Sequence, residues 1–257
     1  MKLLSARSLV FATLLVSLAG CKPGDPVQPV DSTLETAVPP ILLPARDSVY
    51  GAMYSIKVVH VFNGHVTKSE QASAVFYDNP SNTTTATEHA NAGFVAVNAF
   101  TLNQGHDNEY DRTAIEGHIF EDLDFADSVY WVVQGDETVE PFTFAWSNRF
   151  PAFKGEFPAV ITRKDGLSFT FDEASTPLAD SVFVAIAAGD KLLVKRYPGD
   201  IGKVFIGADE LEKLQACSFS QPGYLQISAC VDDIFTPDGK PRLMVKQTTE
   251  IRTVIIR

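Results

Sequence analysis

From Val49 onward, the chain alternates short runs of β-branched and aromatic residues with Gly, Pro, Asn and Asp. Alternation of apolar and polar positions within a run is typical of strands that bury one face, and the intervening residues are typical of turns. Only residues 208–214 have a helical composition, with acids at the N-terminal end, where the helix dipole favours them. The pattern therefore predicts an all-β fold with one short helix.

The predicted strands are rich in β-branched or aromatic residues and are bounded by turn formers. They cover residues 58–62, 65–66, 94–102, 113–120, 128–133, 141–146, 159–163, 167–171, 181–187, 192–196, 204–206, 224–231 and 243–256. Asn63-Gly64 supplies the positive φ angles of a two-residue hairpin turn between the first two strands. Residues 78–92 are polar without periodicity, so we expect a long exposed loop there.

The number of domains is left open by this pattern. Roughly 210 residues follow the N-terminal region, which is enough for one large β domain or for two small sandwiches. One β block ends at Phe150-Pro151, and another opens shortly afterwards. The two-domain interpretation therefore divides the chain into β-sandwich domains at residues 46–150 and 151–257.

The first twenty residues have the three-part layout of a secretory signal peptide. A basic start precedes an apolar run from Leu9 to Leu18, which is shorter than the roughly 20 residues that a membrane-spanning helix needs. Residues 21–45 are rich in Pro, Asp, Ser and Thr, and such a composition buries too little apolar surface to become ordered. We expect a removable signal over residues 1–20 and a flexible tether over residues 21–45.

Leu18-Ala19-Gly20-Cys21 resembles the lipobox of bacterial lipoproteins. The resemblance implies cleavage before Cys21, lipid on that cysteine and anchoring in the cell envelope. Two or three acyl chains anchor stably, because each buried methylene adds about 0.8 kcal/mol. Lys22 stands where some sorting systems read Asp for inner-membrane retention, which favours the outer membrane, with the protein facing the periplasm or the outside. The alternative is an ordinary signal peptide with a chance cysteine.

A second resemblance covers residues from about 127 to 214. Phe157-Pro158-Ala159-Val160-Ile161-Thr162-Arg163, Gly166-Leu167-Ser168-Phe169-Thr170-Phe171 and Asp180-Ser181-Val182 carry it. Their patterning resembles immunoglobulin-like modules of exported lipoproteins, most of which have no assigned function. The resemblance implies an immunoglobulin-like antiparallel β-sandwich and does not extend to function.

The chain is acidic, with 21 basic and 32 acidic residues and a formal net charge of −11. Removal of the signal would delete Lys2 and Arg7 and no acid, leaving 19 basic residues and a charge of −13. A surface of this sign repels phosphate backbones and anionic membrane faces. We therefore expect no nucleic-acid partner.

Two cysteines remain besides Cys21. Cys217 and Cys230 flank a segment with Gln221-Pro222-Gly223 near its midpoint, where a turn would bring the two ends together. Exported proteins fold in oxidising compartments, so we predict a disulfide between these cysteines. Closing so short a loop would contribute about 3 kcal/mol. Two buried thiols or a metal pair are the alternatives.

The chain lacks the common catalytic motifs. It contains no Gly-x-Ser-x-Gly elbow, phosphate loop, dinucleotide fingerprint or His-Glu-x-x-His pair. We therefore expect a non-catalytic protein without a cofactor.

Weaker candidates for a metal site are found in the first half of the chain. Its histidines are His60, His65, His89, His106 and His118, and their spacing matches no known metal motif. Residues 106–111 alternate oxygen-bearing side chains as calcium loops do, but Arg112 stands where that loop requires Gly. We interpret the segment as a solvated turn and expect no metal.

Two further groups could act on sugars. Glu121, Asp122, Asp124 and Asp127 could supply the paired carboxylates of a glycosidase, although acids between strands more often form a charged loop. Trp131 and Trp146 could form an aromatic platform for a glycan, although rings within apolar strands more often fill a core.

The sequence thus favours a lipid-anchored envelope protein that acts as a non-catalytic binding or structural module, whose partner is a membrane and an unidentified protein or glycan. The first alternative is a carbohydrate-binding lipoprotein of a glycan uptake system. The second alternative is an exported hydrolase.

Overall fold

The computed structural model describes residues 38, 41–62, 64–81, 83, 86, 88–115, 123–152, 155–170 and 179–257. The predicted signal peptide and Cys21 lie outside the described residues. All the described residues belong to one compact unit. Within them, no helix is both long and apolar enough to cross a membrane.

The described residues are mostly strands, so the all-β prediction is confirmed. The strands are β1 (Val49–Phe62), β2 (His65–Ser81), β3 (Val95–Val97), β4 (Phe100–Thr101), β5 (Asn103–Gln104), β6 (Tyr110–Ile115), β7 (Val129–Val133), β8 (Phe142–Trp146), β9 (Val160–Ile161), β10 (Leu167–Thr170), β11 (Ser181–Ala188), β12 (Lys191–Pro198), β13 (Lys203–Ile206), β14 (Gly223–Phe235) and β15 (Arg242–Ile256). A 3-10 turn covers Arg163–Asp165, and the predicted helix is present as α1 (Ala208–Leu211).

One large sheet contains nine of these strands. Its order is β12-β11-β14-β15-β1-β2-β6-β5, and β9 adds to one end of β15. Most neighbours are antiparallel, but β1 and β15 run parallel, in a ladder from Ala52 beside Leu243 to Val61 beside Arg252. Strands from the two ends of the described chain are therefore hydrogen-bonded side by side at the centre of the sheet.

This sheet corrects the division into domains at residues 46–150 and 151–257. β1 and β2, which precede the proposed boundary, share one continuous ladder with β15, β14 and β11, which follow it. A cut at residue 150 would leave the edges of long central strands unpaired. Each of the two β blocks of the sequence instead contributes strands to the one large sheet and a smaller layer that covers part of it.

Each layer covers a different part of the same face and gives the fold its sandwich character. A four-stranded sheet of order β4-β3-β7-β8 forms the first layer, and Trp131 packs there with Met53 and Phe76 of the large sheet. The β10-β13 pair and α1 form the second layer, where Leu211 packs with Ile227 of the large sheet. Two adjacent cores therefore lie between the large sheet and its covering layers.

The opposite face of the large sheet carries a third apolar cluster, which includes Tyr54, Ile56 and Val245. Ile41 and Leu43 pack on it, although composition had placed residues 41–45 in the flexible tether. The Arg46 guanidinium donates to the Asp232 carboxylate at 3.1 and 2.5 Å and fixes the same segment beside β14. We call residues 41–46 the N-terminal strap.

The predicted hairpin is confirmed, because β1 and β2 are antiparallel and Phe62 pairs with His65 across a two-residue connection. Gly64 has φ +81°, which L side chains rarely adopt. β2 continues to Ser81, so the predicted loop over residues 78–92 begins later than the polar composition suggested.

The predicted disulfide between Cys217 and Cys230 is wrong, because both thiols are free. Residues 223–235 form the single strand β14, so the expected hairpin between the two cysteines does not form. Cys217 bridges to Ile256 of β15, whereas Cys230 pairs with Gln247 of the same strand. At about 3.3 Å per residue, nine positions of β15 separate these partners by about 30 Å, far beyond the roughly 7 Å Cα separation that a disulfide allows.

Candidate functional site

A cavity of about 460 Å³ lies where the strap crosses the large sheet, on the face that carries Tyr54. Its floor comes from Tyr54 of β1 and from Ser73, Val75 and Tyr77 of β2. Its walls come from the strap, from the residues after β2 and from the turn between β5 and β6. They include Leu43, Pro44, Thr83, Ala86, His89, Glu109 and Asp111. Four separate segments of the chain therefore build this cavity, which we call the tyrosine cavity.

Tyr54 and Thr83 close one side of the tyrosine cavity. A hydrogen bond joins their side chains, and burial raises the pKa of Tyr54 to about 12. The Thr83 amide donates to the Arg46 carbonyl at 3.1 Å, and the Arg46 amide donates to Thr83 Oγ1 at 3.2 Å. This reciprocal pair joins the strap to the segment after β2 through one backbone–backbone bond and one bond to the Thr83 side chain.

Tyr77 is the least usual residue of the cavity. It is 3% exposed, and its buried hydroxyl has no hydrogen-bond partner among the described residues. Burial raises the pKa of Tyr77, and the negative charge of Glu109 raises it further. A buried hydroxyl without a partner costs about 1 to 3 kcal/mol, so this position needs an explanation beyond packing.

His89 lies beside Tyr77, with 5.7 Å between the ring centroids. Its Nδ1 is 3.0 Å from the Asp107 carbonyl oxygen and 3.6 Å from a Glu109 carboxylate oxygen. Because a carbonyl oxygen only accepts, Nδ1 is the donor of the contact with Asp107. The His89 carbonyl in turn accepts a 3.0 Å hydrogen bond from the Asn108 side chain.

The turn that positions His89 is the segment whose oxygen side chains resembled a calcium loop. Asn108 has φ +57°, and its side-chain oxygen accepts from Gln104 at 2.9 Å. Glu109 and Asp111 leave this turn on the exposed rim of the tyrosine cavity. The cavity thus combines aromatic rings and hydroxyls below with two carboxylates above, and no Lys or Arg is among its described lining residues.

The proposed glycan platform is wrong for Trp131. That ring is 1% exposed in the first core, where its Nε1 donates to Ser55 Oγ at 3.3 Å. Trp146 is partly buried against Phe144 and lies 5.2 Å below the ammonium of Lys246. Both tryptophans lie in the first layer, in β7 and β8, and neither lines the tyrosine cavity.

None of the other histidines that the structure describes meets His89 in a metal site. His60 is paired with Thr67 and His65 with Phe62, so the two are not opposite each other in the hairpin. Burial lowers the pKa of His60, His106 is exposed, and His118 lies outside the described residues. Among the residues described, no group of three His, Cys, Asp or Glu side chains could hold a metal ion.

The acidic candidates are only partly described. Asp124 and Asp127 are exposed, and an Asp127 carboxylate oxygen lies 3.6 Å from Arg149 Nε. Glu121 and Asp122 lie outside the described residues.

The tyrosines of the cavity were not identified by sequence reasoning. Tyr54 and Tyr77 lie in strands where an aromatic ring normally indicates core, and only the register of β1 and β2 places them on the same face. His89 and residues 106–111 were singled out, but as metal ligands. Comparisons with protein-family models, with curated proteins and with solved structures each found no match.

Proposed function

We propose that this protein is a lipid-anchored protein of the bacterial cell envelope and that it binds a small polar molecule in the tyrosine cavity without chemically changing it. The observation that carries the binding proposal is the buried hydroxyl of Tyr77, which has no hydrogen-bond partner in the described part of the chain and belongs to the floor of a cavity of about 460 Å³. Ligand sites usually combine this range of volume with aromatic walls and a few polar groups.

The construction of the walls supports a binding role. The strap and the segment after β2 are tied by the Arg46–Thr83 backbone pair, and the Asn108 side chain ties the β5–β6 turn to His89. Polar groups held in place before a ligand arrives reduce the ordering cost of binding. Such a site is suited to binding a ligand without a movement of its walls.

The anchoring part of the proposal rests on Leu18-Ala19-Gly20-Cys21. Replacing Cys21 with Ala removes the only thiol to which the lipid would attach in that motif. We expect the Cys21→Ala protein to move from the membrane fraction to the soluble fraction in immunoblots of fractionated cells. Membrane retention equal to that of the unaltered protein would contradict the anchor.

Binding is tested with the membrane-extracted protein in mild detergent. A library of small neutral, cationic and anionic molecules is screened by ligand-observed NMR against the unaltered protein and Tyr77→Phe. We expect at least one class of molecule to bind the unaltered protein and to lose binding in Tyr77→Phe. If every molecule that binds the unaltered protein also binds Tyr77→Phe, the tyrosine cavity is not the binding site.

A further inference from the structure

We infer that the ligand of the tyrosine cavity is a small organic cation, a protonated amine that lies against the tyrosine rings below the carboxylates of Glu109 and Asp111. This inference rests on the proposed function and adds the chemical class of the ligand.

The charge of the cavity is the first argument. Glu109 and Asp111 are its charged residues at the rim, and no Lys or Arg is among the described lining residues. The nearby guanidinium of Arg46 is turned away from the cavity, to Asp232. An anion would therefore meet two carboxylates without a compensating cation, which is costly even at a partly exposed site.

The aromatic floor is the second argument. The rings of Tyr54 and Tyr77 lie beneath the carboxylate rim, and His89 adds a third ring beside Tyr77. Ring faces attract a cation through their quadrupole, and aromatic pockets with a nearby acid are a general solution for amine recognition. A neutral polar molecule could use the same hydroxyls but would gain less from the carboxylates above them, because it carries no positive charge.

Tyr77 supplies the third argument. Its hydroxyl has no partner among the described residues, and it is close enough to Glu109 for that charge to raise its pKa. An ammonium group has N–H donors only, so it can donate to the phenol oxygen of Tyr77 and to the Glu109 carboxylate together. The phenol oxygen and the carboxylate would then accept from one donor group.

The test uses pairs of probes that differ in charge and little in shape. Benzylamine is compared with benzyl alcohol, and glucosamine with glucose and N-acetylglucosamine, by calorimetric titration of the full chain at mildly acidic pH, where both amines are protonated. We expect each amine to bind about tenfold more tightly than its neutral partners.

Single substitutions test whether the amine binds at Glu109 and Tyr77. Glu109→Gln should weaken amine binding about tenfold, whereas the matched control Glu137→Gln, an exposed acid outside the cavity, should leave it unchanged. Tyr77→Phe should also weaken binding, and Tyr130→Phe, at an exposed tyrosine of β7, should not. Urea unfolding of each variant shows whether the protein is folded when binding is measured.

The outcomes separate the two proposals. Equal binding of glucosamine, glucose and N-acetylglucosamine, lost in Tyr77→Phe, would overturn the cationic ligand and leave the binding function standing. Amine binding that persists unchanged in Glu109→Gln and Tyr77→Phe would overturn the inference as well. The absence of any binding that depends on Tyr77 would overturn both proposals.

Discussion

Tyr110 and Tyr77 lie close together along the large sheet, but their buried hydroxyl groups have different surroundings. The Tyr110 hydroxyl accepts from the Ala92 amide at 2.9 Å and donates to Asn91 Oδ1 at 3.0 Å. The Tyr77 hydroxyl is equally closed off from water but has no such partner among the described residues. The first is a satisfied structural group, and the second is a polar group whose burial lowers stability.

This contrast predicts opposite effects of the same substitution. Tyr77→Phe should raise the free energy of unfolding by about 1 kcal/mol, because it removes an unsatisfied hydroxyl and keeps the ring. Tyr110→Phe should lower it by about 1 to 3 kcal/mol, because the buried Ala92 amide loses its acceptor and Asn91 Oδ1 loses one of its donors. Urea unfolding measures both variants. A loss of stability in Tyr77→Phe comparable to that in Tyr110→Phe would show that the Tyr77 hydroxyl is bonded.

Lys246 is a buried cation that the sequence did not single out. It is fully buried, and its ammonium donates to the backbone carbonyls of Asp127 at 3.0 Å, Trp146 at 2.8 Å and Asn148. The Phe150 ring centroid is 5.1 Å away. β15 and β8 belong to different sheets, and the three hydrogen bonds of the Lys246 ammonium join β15 to the chain around β8. Burial nevertheless lowers the pKa of Lys246 to about 8.

The lowered pKa of Lys246 gives a pH dependence with a definite sign. Below pH 8 the amine is protonated in both the folded and unfolded states, so it does not make the free energy of unfolding depend on pH. Between about pH 8 and 10.5 the unfolded chain binds the proton and the native state has lost it, so stability should rise with pH, by about 3 kcal/mol at most.

The contribution of Lys246 is isolated by comparison with Lys246→Met. Urea unfolding of both proteins at a series of pH values from 7 to 10 should show the free energy of unfolding of the unaltered protein increasing relative to that of the variant. Parallel pH profiles for the two proteins would contradict the assignment.

At the scale of elements, β14 and β15 carry a buried polar ladder across the centre of the large sheet. Ser228 and Thr249 are joined at 2.8 Å, Gln247 donates to Thr249 at 2.8 Å, and the Cys230 thiol donates to Gln247 at 3.0 Å. Such a network fixes strand register, because a slip of one residue would break the Ser228–Thr249 and Cys230–Gln247 hydrogen bonds between the strands. Cys230 belongs to this ladder, which is why it is held away from Cys217.

The two cysteines should therefore react differently. Burial raises the pKa of the Cys230 thiol, so alkylation of the native protein should be slow there and should occur at the partly exposed Cys217. Intact-mass measurement of the non-reduced protein should find one label before unfolding and a second label, on Cys230, after it. A mass lower by two hydrogens and no labelling before reduction would restore the disulfide.

Local pattern was sufficient for some elements and insufficient for others. Asn63-Gly64 fixed the β1–β2 hairpin, and the acids after Gly207 placed α1, because both signals act within a few residues. The pairing of β1 with β15 has no local signal, since both strands are buried on the two faces and their periodicity does not identify a partner. The tyrosine cavity depends on that long-range arrangement, so its residues could not be brought together from sequence.

At the scale of the whole molecule, the shared sheet predicts that the two halves depend on each other. Fragments 46–150 and 151–257 would each expose one edge of the β1–β15 ladder, and the cut would divide the third apolar cluster between them. We expect each fragment alone to lack a cooperative thermal transition in circular dichroism, whereas a chain that spans residues 41–257 should show one. A cooperative transition in either isolated fragment would contradict this dependence.

The parallel pairing of β1 and β15 also governs when the protein can fold. Ala52 lies beside Leu243, about 190 positions later in the chain, so the central ladder closes only after the last strand has been synthesised. Contacts of such long range slow folding, because loop-closure entropy is lost before the contacts stabilise the chain. The edge of β1 that faces β15 therefore stays open until β15 is complete, and during that time it is available for pairing with other chains.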